Sequence, residues 1–442
     1  MMKKYRIFLR ALLLALILSS VSVVKGQVLT LEEAIFEGLD NNFGILLFRN
    51  QSEIASNNVT LGNAGFLPTL SATATHTERI EDSNFETAVD SRSTSGARSS
   101  NTNAALNLSW TLFDGLQMFR AYDRLSLLKD VSDTELRLQM EFLVARITAA
   151  YNNIIRIEQQ IRILLNNIEV SEERISIEET KVDLGAASEY DLLQARSDLN
   201  ADRAAYIRER NGLISARITF NELLSRSPSE EFEVTEEIMV DRHLDRQNLF
   251  SLFLSNNSEL SMARMENSLR AIELSEIAGE RYPEIIFNSA YSFNRNENAG
   301  GFIRFSESTG FSAGVTARFP IFDGFNQNRR IQNAQVNRRS AEITYDARKL
   351  QLQAEFEMAY STYLQSLELI HLEEQNLENA ELTLEIALER FRLGTITSLE
   401  FREAQRTLLQ AENRLISAKF DAKIAETELL QLSGSLNSIF PD

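Results

Sequence analysis

The chain has 442 residues, a formal net charge of −18, no cysteine and five prolines. Without cysteine it has neither disulfides nor a cysteine-linked lipid anchor, so packing or assembly must hold the fold. The acidic balance argues against nucleic acid or anionic lipid as a partner and is compatible with a cation-attracting surface.

At the N-terminus, Lys3, Lys4, Arg6 and Arg10 flank an apolar run from Ala11 to Val24, and Val24-Lys25-Gly26 supplies small residues at a cleavage position. Residues 1–26 read as a secretory signal peptide. The run is short for a membrane span of ~20 residues. Removing the segment takes away Lys25 as well, five basic residues in all, so −18 − 5 leaves −23. No later run approaches the length of a membrane-spanning helix.

Next, Thr30 and Glu33 have the spacing of a capping box, which predicts a helix from Leu31 to near Gly62. Pro68 then opens a different pattern. Leu106, Leu108, Trp110 and Leu112 alternate with Asn107, Ser109 and Thr111, the period of a strand with one apolar and one polar face. Leu70, Ala72 and Ala74 form its upstream partner. The pattern returns at Phe311–Phe319, with Ile285, Phe287 and Tyr291 upstream. Polar loops are expected at about 81–101 and 294–308. Four strands in two hairpins follow.

The rest reads as helix. Leu136, Met140, Leu143, Ile147, Ala150, Ile154, Ile157 and Ile161 step by four and three, a coiled-coil seam; Leu377, Ala380, Leu384, Ala387 and Phe391 repeat it. A helix from Asp114 to Leu184 would be ~100 Å long and must pack lengthwise on neighbours. Gly185 and Gly394 suit the left-handed residue after a helix end. Ser188 with Asp191, and Thr397 with Glu400, suit the start of the next helix. Ser225–Asp245 is acid-rich and reads as a linker on the outside.

Landmarks recur in order. Phe113-Asp114-Gly115 returns as Phe322-Asp323-Gly324, and Leu184-Gly185 as Leu393-Gly394, both 209 residues on; Asn41-Asn42 returns as Asn256-Asn257, and Pro68 as Pro283, 215 residues on. The chain is internally duplicated. The expected organisation is a signal peptide (1–26), a first repeat (27–228; strands about 67–113, helical hairpin about 114–225) and a second repeat (229–442; strands about 283–322, helical hairpin about 323–433).

A four-stranded sheet cannot close alone, and in lipid its edges must be paired. Several chains must therefore contribute, and eight, twelve or sixteen strands are all open on these grounds. Trp110, Phe113, Phe319 and Phe322 stand at strand ends, where an aromatic girdle facing outer-membrane lipid belongs.

The duplicated order of helix, strand hairpin, Leu112-Phe113-Asp114-Gly115 or Ile321-Phe322-Asp323-Gly324, long helix, Leu-Gly turn and helix resembles the TolC-type outer-membrane efflux ducts over the whole mature chain. The resemblance implies an α+β membrane protein of homotrimeric build. Four strands per chain join a shared twelve-stranded β-barrel, and long antiparallel coiled-coil helices form an α-barrel across the periplasm. It implies docking of a periplasmic adaptor, and with it an inner-membrane transporter, at Leu184, Gly185, Ala186, Leu393, Gly394 and Thr395. It also implies a periplasmic aperture near Asp191, Gln194, Glu400 and Glu403. Capping alone explains Asp191 and Glu400 equally well, and Gln194 departs from an all-acid ring.

Other chemistry is weak. Gly310-Phe311-Ser312-Ala313-Gly314 fits a hydrolase elbow in letters but lies inside an alternating strand. His76, His243 and His371 have no ligand spacing, and no phosphate-binding glycine loop occurs. The expected function is a passive exit duct of an efflux pump, not an enzyme, with no cofactor and no metal. Type I protein secretion and an exported coiled-coil adhesive trimer are the alternatives.

Overall fold

The structure is a computed structural model that describes residues 28–86, 88–235, 237–299 and 303–436. The expected signal peptide lies outside the described residues. In chain order the elements are α1 (Leu31–Asn41), α2 (Phe43–Asn58), β1 (Thr69–Glu86), β2 (Ser91–Phe113), α3 (Gln117–Asp183), α4 (Glu189–Leu223), α5 (Arg246–Asn256), α6 (Ser258–Gly279), β3 (Glu284–Asn298), β4 (Phe305–Arg318), α7 (Asn326–Arg392) and α8 (Ser398–Leu432). The chain forms two compact units. The helical unit holds the chain up to Leu47, Leu138–Asn257 and the chain from Leu352; the sheet unit holds Phe48–Arg137 and Ser258–Gln351.

The sheet unit carries one antiparallel sheet in the order β1-β2-β3-β4, with β1 and β4 as its edges. Leu106 stands opposite Ala72 on one side and Tyr291 on the other, and Tyr291 stands opposite Phe311. The apolar residues of all four strands therefore share one face, as the alternation requires. That face is uncovered: Leu70, Leu106, Phe311 and Val315 are all at least half exposed. No described helix is long and apolar enough to cross a membrane.

The strands run further than the apolar alternation. The expected polar loops are largely ladder: β1 continues to Glu86, β2 begins at Ser91, and β3 and β4 reach Asn298 and Phe305. Polar pairs replace apolar ones there. Arg98 donates to Glu78 at 2.6 Å, and Asp82 accepts from the Ser95 hydroxyl at 2.7 Å and the Gly96 N–H at 2.6 Å beside a register shift. The Gly-Phe-Ser-Ala-Gly segment sits within β4, which holds no strand-to-helix turn. β4 stops at Arg318, one residue short of the expected end.

The two Phe-Asp-Gly motifs are strand-to-helix junctions. Gly115 and Leu116 have φ of 75° and 67°, and Gly324 and Phe325 have 71° and 62°. After this left-handed step the aspartate caps the helix: Asp114 Oδ2 accepts from the Met118 N–H at 2.8 Å, and Asp323 Oδ2 from the Gln327 N–H at 2.7 Å. The long helices thus begin at Gln117 and Asn326 rather than at the aspartates.

In the helical unit, Thr30 and Glu33 form the expected capping box. The helix does not run on to Gly62, because it breaks at Asn42. Asn42 Oδ1 accepts from the Gly44 N–H at 2.9 Å, and its Nδ2 donates to the Leu223 carbonyl at 2.9 Å. Asn257 repeats the outer contact, donating to the Leu432 carbonyl at 2.9 Å. Each asparagine therefore satisfies a carbonyl at the end of its repeat's last helix. The seam residues Leu143, Ile147, Ile154 and Ile157 are buried, as are Ala380, Ala387 and Phe391. The linker is not merely external. Phe232, Val234 and Ile238 are buried, Phe232 packs on Phe220, and the Glu233 carbonyl accepts from Leu29 N–H at 2.8 Å.

A Cβ at Gly115 would lie 2.2 Å from the Gly279 carbonyl oxygen. Gly115→Ala adds about 1–2 kcal/mol of left-handed strain and about 1–3 kcal/mol of overpacking. Thermal unfolding in detergent should register this combined loss.

Candidate functional site

The exposed turns between α3 and α4 and between α7 and α8 lie in the helical unit and are built alike. Gly185 has φ 73°; its N–H donates to the Val182 carbonyl at 2.9 Å, and the Ala186 N–H donates to Lys181 at 2.7 Å. Gly394 has φ 71°; its N–H donates to Phe391 at 3.0 Å, and Thr395 N–H donates to Arg390 at 2.9 Å. Both are Schellman ends. No atom crowds either glycine, so the backbone angle alone selects it.

The following helices start with caps. Ser188 Oγ accepts from the Asp191 N–H at 3.2 Å and lies 2.7 Å from the Asp191 carboxylate. Thr397 and Glu400 form a reciprocal capping box at 3.2 and 2.7 Å. Hydrogen bonds from the Thr397 backbone and then its hydroxyl hold the Glu400 carboxyl below its ordinary range. Asp191 and Glu400 share no hydrogen bond or ion pair among the described residues; each closes its own turn. Glu403 is 71% exposed, with Arg406 at 3.9 Å. Gln194 donates to Asp198 at 3.2 Å. Leu184 and Leu393 are fully presented at the turns, and so are Tyr190 and Leu399, an equivalent pair 209 residues apart that the motif reading passed over.

A buried polar network ties the two hairpins together behind the turns. Arg402 of α8 grips both oxygens of Asp202 of α4 at 2.9 Å. Ser171 donates to Asp202 at 2.7 Å and accepts from Gln405 at 2.8 Å, and Gln405 also donates to the Asn167 carbonyl at 3.0 Å. Arg174, fully buried, pairs with Asp198 at 2.8 Å and donates to Ser398 at 3.0 Å. Closer to the turns, Lys181 Nζ sits 3.5 Å over the Phe391 ring and donates to the Phe391 carbonyl at 2.8 Å, while Phe391 stacks on Phe401. Burial pushes the Lys181 pKa down, and the Glu178 charge works against that. One signal was available for this network: in α4 the buried series Leu192, Ala195, Leu199, Asp202 puts a carboxylate on an apolar seam.

The expected girdle residues belong to the sheet unit. Trp110 Nε1 donates to the Phe66 carbonyl at 2.9 Å, Phe113 is half-buried as the last residue of β2, and Phe319 and Phe322 are exposed beyond β4. Phe325 meets Phe322 edge-on, with ring centres 5.4 Å apart. The histidines stay apart: His76 bonds Thr102, His243 lies by Asp241, and His371 by Gln375.

Two measurements check this geometry. Arg402→Met strands a buried carboxylate and should cost about 3–5 kcal/mol, most of it recovered in Arg402→Met/Asp202→Leu. Glu412 of α8 is pushed up to about 7 by burial and then by the Glu381 charge. A carboxyl with a raised folded-state pKa loses stability as pH climbs from its ordinary range through 7. Glu412→Gln should therefore match the parent at pH 4 and exceed it at pH 8 by on the order of 1 kcal/mol after solvent screening. Melting curves across that range read both effects.

A family model described as "Outer membrane efflux protein" matches residues 36–226 and 249–435, one segment in each repeat. The chain is 20% identical over 442 residues to outer membrane efflux protein BepC of Brucella suis biovar 1 (strain 1330), covering 98% of this chain and 93% of that protein. It is 19% identical over 355 residues to outer membrane protein TolC of Escherichia coli (strain K12), covering 78% and 72%. The solved outer membrane protein VceC of Vibrio cholerae superposes with a TM-score of 0.74 at 16% identity, over 91% of this chain and 96% of that one. Such proteins are outer-membrane channels and not enzymes. With matched turns, an open four-stranded sheet and a family match across both repeats, the chain belongs to the outer membrane efflux protein family.

Proposed function

We propose that this outer-membrane efflux channel works as a homotrimer and as the passive exit duct of a tripartite pump. Three sheets make a twelve-stranded barrel, the helices reach into the periplasm, and a periplasmic adaptor docks at the two turns. An inner-membrane transporter supplies the energy. The observation that supports this most is the pair of turns. They close with the same two backbone hydrogen bonds, and they expose equivalent large side chains, Leu184 with Leu393 and Tyr190 with Leu399. Rigid, apolar, repeated tips suit docking to a partner. Glu403, exposed and beyond the cap, is the acid best suited to a cation-attracting constriction, since three copies around an axis would concentrate negative charge.

In a strain lacking the gene, the wild-type chain should restore efflux. Gly394→Glu or Thr395→Lys should abolish it while oligomers still reach the outer membrane; normal export by either variant would refute docking at the turns. In planar bilayers Glu403→Ala should raise conductance or weaken block by divalent cations. Unchanged behaviour, with the narrowest point mapped elsewhere, would remove Glu403 from the aperture.

A further inference from the structure

The alternation that builds the sheet also sorts its charges. On the face opposite the apolar one, Thr69, Ser109, Asn288 and Gly314 form one row across the four strands, and Thr77, Asn101, Asn296 and Ser306 form another further along them. From the first row to the second, every residue on that face is Thr, Ser, Asn, Ala or Gly. None is charged, aromatic or a large aliphatic. Composition does not account for this. The other face carries His76, Arg295 and Glu307 in a row between these two, and Glu78 and Glu297 in the row just past them. Over the outer part of the strands, charge is present and is kept off the polar face.

Among the described residues, charges enter the polar face at its two ends, and there as opposite pairs. At one end Glu284 stands opposite Arg318, and both line one cavity. Of the other acids lining that cavity, Asp114 caps α3 and Glu280 pairs with Arg330. Arg318 is therefore left to Glu284. At the other end Arg79 lies 3.7 Å from Glu81, beside the register shift in β1.

We propose that the strand-built end of the duct does not select cargo by the sign of its charge, and that Arg318 keeps it neutral by balancing Glu284 at the inner mouth. This deepens the duct reading above and rests on it, because there the polar face is the wall of the lumen. A ring of like charges in a narrow passage gathers counter-ions and repels ions of its own sign. Asparagine amides and the hydroxyls of serine and threonine offer both donors and acceptors, so water, anions and cations all find partners on this wall. The wall also has no aromatic face on which a flat solute could stack. The chain's acid excess of −18 therefore stops short of the lumen wall, and any preference among charged solutes arises elsewhere in the duct. The cargo that suits such an exit is a hydrated, hydrogen-bonding solute of either sign.

Reversal potentials of the full chain in planar bilayers, under a potassium chloride gradient, test this. Asn103→Asp should raise the potassium-over-chloride permeability ratio and Asn103→Lys should lower it by a comparable factor. Thr102→Lys, one residue along β2 and on the outward face, should leave the ratio at the parent value. No shift in either Asn103 variant, or an equal shift in Thr102→Lys, overturns the assignment of the polar face to the lumen wall. Arg318→Gln should raise the ratio, and Arg318→Gln/Glu284→Gln should return it to the parent value. An unchanged ratio in Arg318→Gln, or a double variant that keeps the raised ratio, overturns the balancing role. A parent that reaches the bilayer as an oligomer and does not conduct overturns the duct reading itself.

Discussion

Everything in the sheet unit follows from one requirement: a backbone N–H or carbonyl facing lipid must find its partner within protein. Hydrocarbon offers no water, and each unpaired group costs several kcal/mol. β2 and β3 meet the requirement on both sides. β1 and β4 meet it on one side only. The apolar face is complete from Leu70 to Val315, but the ladder is not. A sheet with two such edges is unfinished on both sides, and the homotrimer proposed above would complete its secondary structure as well as its quaternary structure.

The helical unit solves a different problem. Helices of 67 residues cannot fold back on themselves, so their stability comes from lengthwise burial of a seam. In the middle of α3 the seam is mainly apolar, with Leu143, Ile147, Ile154 and Ile157 buried. Toward the turns α3 changes character, and its buried residues become Asn167, Ser171, Arg174 and Glu178. Apolar seams tolerate sliding between similar knobs. A bidentate arginine on a buried aspartate has one good geometry and is costly to leave. The polar seam therefore sets the level at which the second hairpin meets the first.

Much of this was readable in the chain. The strand faces were legible because period-two alternation is a local signal, and Trp110 and Leu106 share a face whatever surrounds them. The glycine turns were legible because Gly185 and Gly394 answer a backbone demand that few other residues meet. The outer halves of the strands were not. Asp82 and Arg98 look like loop residues until cross-strand pairing supplies their partners, Ser95 and Glu78. The break at Asn42 carried no proline; its side-chain oxygen caps the next helix at Gly44, and the distant Leu223 carbonyl holds its amide nitrogen.

The sequence by itself determined the duplication, which needs only the chain compared with itself, and the strand faces, the caps and the turn geometry, because each of these three depends on residues within a few positions of one another. Tertiary structure alone decided which side chains complete one another across long separations. Arg402 finds Asp202 200 positions away, and Gly115 finds Gly279. Pattern reveals that a position is buried. Only the approach of another element decides whether the group it meets there is a methyl, a carboxylate or a carbonyl oxygen.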